Sequence, residues 1–268
     1  MTERVVSARL DVDIAAATTL EFQIAVAPHP GAQVAETLSF QLDGRDVQAH
    51  EVSGTHGNRI HVLEVGQGNL QVYYDATVTG NADPAPVTEL DRSVYLRPSR
   101  YAEADKFFGF AATEFGSEQD DEVLLSKVSD WVGRRLSYVP GSSDPIDGAA
   151  DTLLAGAGVC RDYAHLVVAM LRALNVPARL VAVYAPGCDP MDFHAVAEAL
   201  VGDTWRVVDA TCLAPRSTLV RIATGRDAAD TAFLDNHKGS ITLNNATVTA
   251  VVSEGLPNDD IHELVSMS

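Results

Sequence analysis

Three side chains in the second half of the chain have the types and order that nucleophilic catalysis needs: Cys160, His194 and Asp209. A thiol attacks a carbonyl only as thiolate, and the unpaired N–H groups and aligned dipole of a helix N-terminus lower its pKa. Cys160 stands at such a point. From Cys160 to Asn175 the apolar residues Ala164, Val167, Val168, Leu171 and Leu174 recur at helical spacing, and Pro177 forbids continuation. Gly158, just upstream, offers the backbone freedom that a tight strand-to-helix entry needs. The competing reading is a small buried hydrophobe at a helix start, since free cysteine is often simply core. Position alone does not separate the two.

The hairpin downstream shifts the balance. Val201 and Thr204 flank Gly202-Asp203, a two-residue turn. With Val201 opposite Thr204, His194 faces Thr211, and Asp209 becomes the diagonal neighbour of His194 on the same face. Diagonal neighbours lie roughly 7–8 Å apart at the backbone, within reach of an imidazole and a carboxylate. The acid then fixes the imidazole tautomer and supports the imidazolium, while the imidazole activates the thiol. A slip of one residue would send Asp209 to the other face.

Four segments around these residues resemble, in order and spacing, the core motifs of the bacterial transglutaminase-like superfamily. They are Gly158-Val159-Cys160-Arg161-Asp162-Tyr163-Ala164-His165-Leu166, Leu171-Arg172-Ala173-Leu174-Asn175-Val176-Pro177-Ala178-Arg179, Asp192-Phe193-His194-Ala195 and Trp205-Arg206-Val207-Val208-Asp209-Ala210-Thr211. Upstream, Leu96-Arg97-Pro98-Ser99-Arg100-Tyr101 resembles a lead-in found before such cores, often after an N-terminal β-domain. The resemblance covers roughly residues 90–215. It implies a papain-like α+β fold and a Cys-His-Asp triad, with Cys160, His194 and Asp209 in the triad places. Two departures stand out. Val196 occupies a place where the family often has Trp, and Ala210 one where it often has Pro. Neither is a triad side chain, but the first bears on the shape of the acyl-binding cleft.

Neighbouring polar residues read as supporting. His165, five residues after Cys160, falls on a different helix face and is expected to be structural. Asp162 fits the first helical turn as a capping acid, and Trp205 as a wall of the core or cleft. An oxyanion hole needs a pair of donors. The Cys160 amide is the natural first; the sequence leaves the second unassigned, with the stretch 138–143 as its source. Cys188 and Cys212 read as bystanders, because no ligand spacing for zinc surrounds them.

The elements that must position these groups fall into two parts. Up to about residue 80 the pattern alternates with period two: Leu10, Val12 and Ile14; Leu20, Phe22, Ile24 and Val26; Leu38, Phe40 and Leu42 before the turn Asp43-Gly44; Leu70, Val72, Tyr74, Ala76 and Val78. This predicts an antiparallel β-sandwich over residues 1–86, in which His29, His50, His56 and His61 are surface or edge histidines. Gly80-Asn81-Ala82-Asp83-Pro84-Ala85-Pro86 has linker composition, and residues 87–268 form the expected transglutaminase-like α+β domain. There the nucleophile sits at a helix N-terminus packed on an antiparallel sheet. Ser99 is expected to cap a helix reaching Phe115, and the acids from Glu118 to Glu122 to open another through Leu136. Strand-like runs follow at 179–184, 194–201, 205–210, 241–243 and 247–252, then an acidic, frayed tail.

The totals exclude several function classes. The 268 residues carry 37 acidic against 19 basic side chains, a formal charge of −18, which repels phosphate backbones and anionic lipid. Neither a nucleic acid nor a membrane surface is an expected partner. No apolar run approaches the roughly 18–20 residues of a membrane span, and the start, Met1-Thr2-Glu3-Arg4, lacks signal-peptide character, so the expected compartment is the cytoplasm. Three cysteines without CxxC spacing suggest no disulfide framework, and no metal or cofactor is called for. The expected partner is a peptide or protein amide. Cys160 would attack its carbonyl, release an amine and leave a thioester, which water or a second amine resolves. Hydrolysis is preferred, since water is always available; transglutaminase-type acyl transfer is the alternative. A non-catalytic binding scaffold of the same fold is the reading from another class, and the intact triad speaks against it.

Overall fold

The computed structural model describes residues 2–267. Seven strands open the chain: β1 (Glu3–Ala16), β2 (Thr18–Phe22), β3 (Gln33–Leu42), β4 (Arg45–Val47), β5 (His50–Ser53), β6 (Arg59–Val65) and β7 (Gly68–Thr79). A helical stretch follows, with α1 (Glu89–Val94), α2 (Phe108–Phe115), α3 (Asp121–Arg135), β8 (Ser137–Tyr138), α4 (Ala149–Ala155), β9 (Ala157–Gly158) and α5 (Cys160–Ala173). The chain continues through β10 (Ala178–Tyr184), β11 (His194–Val201), β12 (Thr204–Val208), β13 (Val220–Gly225), α6 (Ala228–Thr231), β14 (Leu234–His237) and β15 (Ser240–Val252). The fold is α+β with antiparallel main sheets.

Period-two alternation builds the N-terminal sandwich. In β1 the side chains of Val6, Ala8, Leu10, Val12 and Ile14 are buried, and in β7 those of Leu70, Val72, Tyr74, Ala76 and Val78. The two stripes face one core because the strands pair antiparallel, Leu10 with Val72 and Val12 with Leu70. Asp43 and Gly44, with φ of 50° and 75°, make the tight turn between β3 and β4. The sheets run β15-β1-β7-β3-β4 and β14-β2-β6-β5. His61, expected at the surface, is buried beside Phe40.

A third sheet, β12-β11-β10-β13, carries the C-terminal half, and α5 packs against β10 and β11. On β11 the side chains alternate. Ala197 and Ala199 join the core under α5, while Val196 packs on the other face with Val181, Val183 and Val207.

The structure departs from a linear division at residue 86. Strands β14 and β15, inside the segment expected to be catalytic, pair with β2 and β1 of the sandwich. Tyr184, Val220, Ile222 and Ala223 of the third sheet are buried in the same cluster as Leu10, Phe22 and Val72. A fragment starting at Val87 would therefore strip β14 and β15 of their partners. Sequence periodicity finds strands but not their neighbours, and the return of β15 over more than 200 residues is a tertiary decision.

Two local expectations also change. Helix α2 begins at Phe108 rather than near Ser99, whose hydroxyl accepts from the buried Arg172 at 2.9 Å, next to the Arg97 carbonyl that accepts from it at 3.0 Å. The tail is not frayed either. Edge strand β12 exposes unpaired backbone groups, a ready template, and the Val207 N–H donates to the Val265 carbonyl at 2.8 Å. Arg216 clasps the Asp259 carboxylate through Nε at 2.9 Å and Nη2 at 2.9 Å, and Met267 is buried with Val181 and Leu219. Among the described residues no helix is long and apolar enough to cross a membrane.

Candidate active site

Cys160 is the first residue of α5, preceded by extended Val159 with φ −112° and ψ −178°. The helix starts there because Asp162 turns back, its Oδ2 accepting the Val159 N–H at 2.8 Å. The Ser143 hydroxyl donates to the other oxygen at 2.9 Å, so Asp162 caps the helix as expected. Gly158 is needed for closeness: a Cβ there would lie 2.7 Å from the Cβ of Asp162. The buried stripe of α5 anchors this helix on the sheet, leaving Cys160 partly buried at its end beside Ala164, Leu180 and Ala195.

The hairpin has the predicted register. Val201 pairs with Thr204 and Ala197 with Val208, which brings Asp209 to His194 just past the last paired residue. His194 Nε2 lies 2.8 Å from Asp209 Oδ2, both side chains buried; the Cys160 thiol, beside the imidazole, donates to the Phe193 carbonyl at 3.8 Å. With Nε2 engaged by the acid, Nδ1 is the nitrogen left for the sulfur. Burial by itself would depress the imidazolium, but the Asp209 charge and hydrogen bond, with the Cys160 contact, raise its pKa well above the ordinary histidine value. Burial likewise opposes the Asp209 carboxylate, yet His194 and two hydrogen bonds from Thr211 hold its pKa below the usual range.

Thr211 is the member of the site that the sequence reading passed over. Its N–H and hydroxyl donate to Asp209 Oδ1 at 2.9 and 2.7 Å, which leaves Oδ2 aimed at the imidazole. The signal was present: an Asp whose side chain accepts from the N–H two residues on is a recurrent turn, and Asp209-Ala210-Thr211 spells it. His165, by contrast, is fully buried, stacked 5.3 Å from Tyr101, and its Nε2 accepts the Ala228 N–H at 3.1 Å. Burial lowers its pKa to about 3, so it is a neutral strut. Trp205 lies in the core, edge-on to Tyr95 and under the Arg179 guanidinium, away from the cleft.

A cleft of about 680 Å3 opens over the thiol. One wall is the third sheet and α5, with Cys160, Arg161, Leu180, Ala182 and Ala195; the facing wall includes Gln23, next to β2, and Leu234 of β14. The sandwich thus helps to shape the cleft. Burial pushes the Cys188 and Cys212 thiols up, and neither stands at a helix N-terminus. Iodoacetamide at pH 6 is expected to alkylate Cys160 on the order of tenfold faster than either. Mass mapping of the native protein checks this, and equal labelling of all three would remove Cys160 from the nucleophile's place.

The model of the transglutaminase-like superfamily matches residues 110–210, which hold the whole Cys160–His194–Asp209 constellation. A crystal structure of a candidate cysteine protease from Cytophaga hutchinsonii superposes with a TM-score of 0.85. It is 30% identical, over 98% of this chain and 96% of that one. The chain belongs to the transglutaminase-like superfamily. An uncharacterized protein of Mycobacterium leprae is 26% identical to this transglutaminase-like chain over 167 residues, which span 59% of each sequence. The match thus covers under two thirds of that curated relative. A more distant likeness, 18% identical with a TM-score of 0.41, is to the periplasmic domain of TgpA from Pseudomonas aeruginosa, over 73% of this chain and 87% of that one.

Proposed function

We propose that the chain is a cysteine hydrolase of peptide or protein amide bonds, working through a thioester on Cys160. The observation that carries this reading is that Cys160 and His194 line the same cleft, with Asp209 behind His194 at 2.8 Å. His194 takes the thiol proton, the thiolate attacks the amide carbonyl, and the imidazolium returns the proton to the departing amine. Water, deprotonated by the same imidazole, then releases the acid. Asp209 stays ionised and holds the tautomer throughout.

Hydrolysis is preferred over transfer to an amine because water needs no dedicated site, whereas amine transfer needs a second binding surface that competes with water. The reducing cytoplasm is the proposed compartment, since all three cysteines are free thiols. The charge of −18 disfavours nucleic acid and anionic membrane as partners.

The test is incubation of the full chain with a peptide library, with and without monodansylcadaverine, beside the Cys160→Ala variant. Free carboxylate products that vanish in the variant support the proposal. Products carrying the dansyl amine in preference to free acid would make it an acyltransferase, and unchanged turnover in the variant would remove the thioester route.

A further inference from the structure

We propose that the cleft seats a large apolar side chain of its substrate, the size of leucine or phenylalanine and beside the scissile bond, on a platform made by Phe193 and Phe233. This names a substrate class for the hydrolase reading and rests on Cys160 being the nucleophile.

The platform begins next to the sulfur. Cys160 Sγ donates to the Phe193 carbonyl at 3.8 Å, so the residue before His194 borders the reacting centre. The Phe193 ring stacks on that of Phe233, with centroids 4.8 Å apart and planes 21° from parallel. Phe193 leads into β11 of the third sheet. Phe233 leads into β14, and its carbonyl accepts the Gln23 N–H at 3.1 Å as that strand meets the sandwich. The stacked pair therefore spans both sides of the cleft. Tyr184 braces it, with its ring 5.7 Å from Phe193 and its hydroxyl donating to the Ile24 carbonyl at 2.7 Å. A surface so held is formed before substrate arrives, which spares the cost of ordering it.

Phe193, Phe233 and Leu234 are only partly buried, and they line the cleft together with Leu180, Ala182 and Ile222. Ala182 and Ala195 are direct cross-strand partners, and both border the same space. Two methyl groups side by side leave room over the sheet that longer side chains would occupy. Water against such surfaces gains no hydrogen bonds from them, so an apolar group that displaces it is favoured. The charged residues of the lining do not compete for that place. Arg161 gives Nη2 to the Ser143 hydroxyl at 2.6 Å and to the Asp144 carbonyl at 3.0 Å, while Asp192 and Asp235 are exposed to solvent. A charged side chain laid on the aromatic pair would shed water without a buried counter-ion to receive it. Because Phe233 and Leu234 arrive with the sandwich, that part of the chain takes a share in choosing the substrate.

Alkylation of the full chain reads this subsite without any turnover. The Cys160 thiolate displaces iodide from iodoacetamide, and an N-benzyl group on the reagent brings a phenyl ring within a few bonds of the sulfur. Below saturation, N-benzyl iodoacetamide is expected to alkylate Cys160 about 30-fold faster than iodoacetamide. The exposed Cys212 should take both reagents at nearly equal rates. Ala182→Phe fills the room over the sheet, and Phe233→Ala removes one ring of the platform. Each is expected to lower the Cys160 preference below about threefold, with circular dichroism recording the fold, so either one tests the subsite should the other fail to fold. A wild-type preference of about one would overturn the proposal. So would a preference kept in the variants that fold, or a faster reaction with the cationic N-(2-aminoethyl) reagent. In the peptide library the same subsite should enrich leucine, isoleucine, methionine and phenylalanine beside the cleaved bonds. A chain that shows the alkylation preference yet cleaves no peptide would refute the hydrolase reading and leave the subsite standing. Were Cys160 inert to every reagent, the nucleophile assignment would fail and take this proposal with it.

Discussion

Asp209→Asn is expected to lower kcat by on the order of 10³-fold while the chain stays folded. An amide at residue 209 can donate to His194 Nε2 and so stabilise the tautomer that presents its proton to the sulfur instead of a lone pair. It also removes the charge that raises the His194 pKa. The pH profile carries the second half of the prediction. On the proposed mechanism the working pair is thiolate with imidazolium, so activity is expected below the His194 pKa and should be lost as the pH rises through it. With that pKa raised well above the ordinary 6.5, the alkaline limb of kcat/KM in the wild-type chain lies well above neutral ground for a histidine. In Asp209→Asn the limb should move down towards 6.5. The stability of the fold has the same sign: the contribution from His194 is complete below about 6.5 and is lost as the pH rises through the raised value. The contribution from Asp209, whose pKa is lowered, is present above the ordinary carboxylate range and disappears as the pH falls through the lowered value. Stopped-flow acylation across pH, with circular dichroism beside it, reads both effects. Full activity with an unmoved limb would mean that the acid at residue 209 does not act on His194.

Glu198→Gln is expected to destabilise the chain by about 3–5 kcal/mol, the usual cost of breaking a buried ion pair by removing one partner. Glu198 is 1% exposed and bridges two guanidinium groups: its Oε2 accepts from Arg179 Nη2 at 2.7 Å and from Arg221 Nη1 at 3.0 Å. Burial opposes its ionisation, but the two arginines win and hold its pKa down at about 2. A neutral amide would leave two buried cations without an anion. Arg179 is already committed, stacked 3.7 Å over the Trp205 ring. The cluster also sits where the third sheet meets the sandwich, since the Arg221 carbonyl accepts the Ala27 N–H and Asn58 pairs with both backbone groups of Thr224. The loss should therefore appear in one cooperative urea transition, shifted to lower concentration, and not in the melting of one part alone. Two separate transitions would show that the sandwich and the catalytic sheet fold independently despite their shared core.

The sequence by itself determined more of the candidate site's local geometry than of the architecture. Cys160 at a helix start follows from the apolar spacing of residues 164–174 and the stop at Pro177, both local in the chain. The meeting of His194 with Asp209 follows from one two-residue turn, because a hairpin's register propagates from its turn without needing the rest of the fold. Asp162 as the cap and Thr211 as the brace on Asp209 belong to the same class, each acting within three residues.

What the tertiary structure alone decided spans long separations, where no local pattern carries the answer. The strands β14 and β15 read as strands, yet only the unfilled edges of β2 and β1 make them leave the catalytic segment and complete the sandwich. The acidic tail has little intrinsic order, and the edge of β12 and the Arg216 guanidinium supply the partners that pin it. Ser99 has the composition of a helix cap, and a buried arginine 73 residues away takes its hydroxyl instead. Tyr138 is an ordinary tyrosine after a helix until the ladder of β8 with β9 sets it beside Gly158, two residues before Cys160. In each case a buried polar or edge group had to find a partner, and folding chose it from a distant part of the chain.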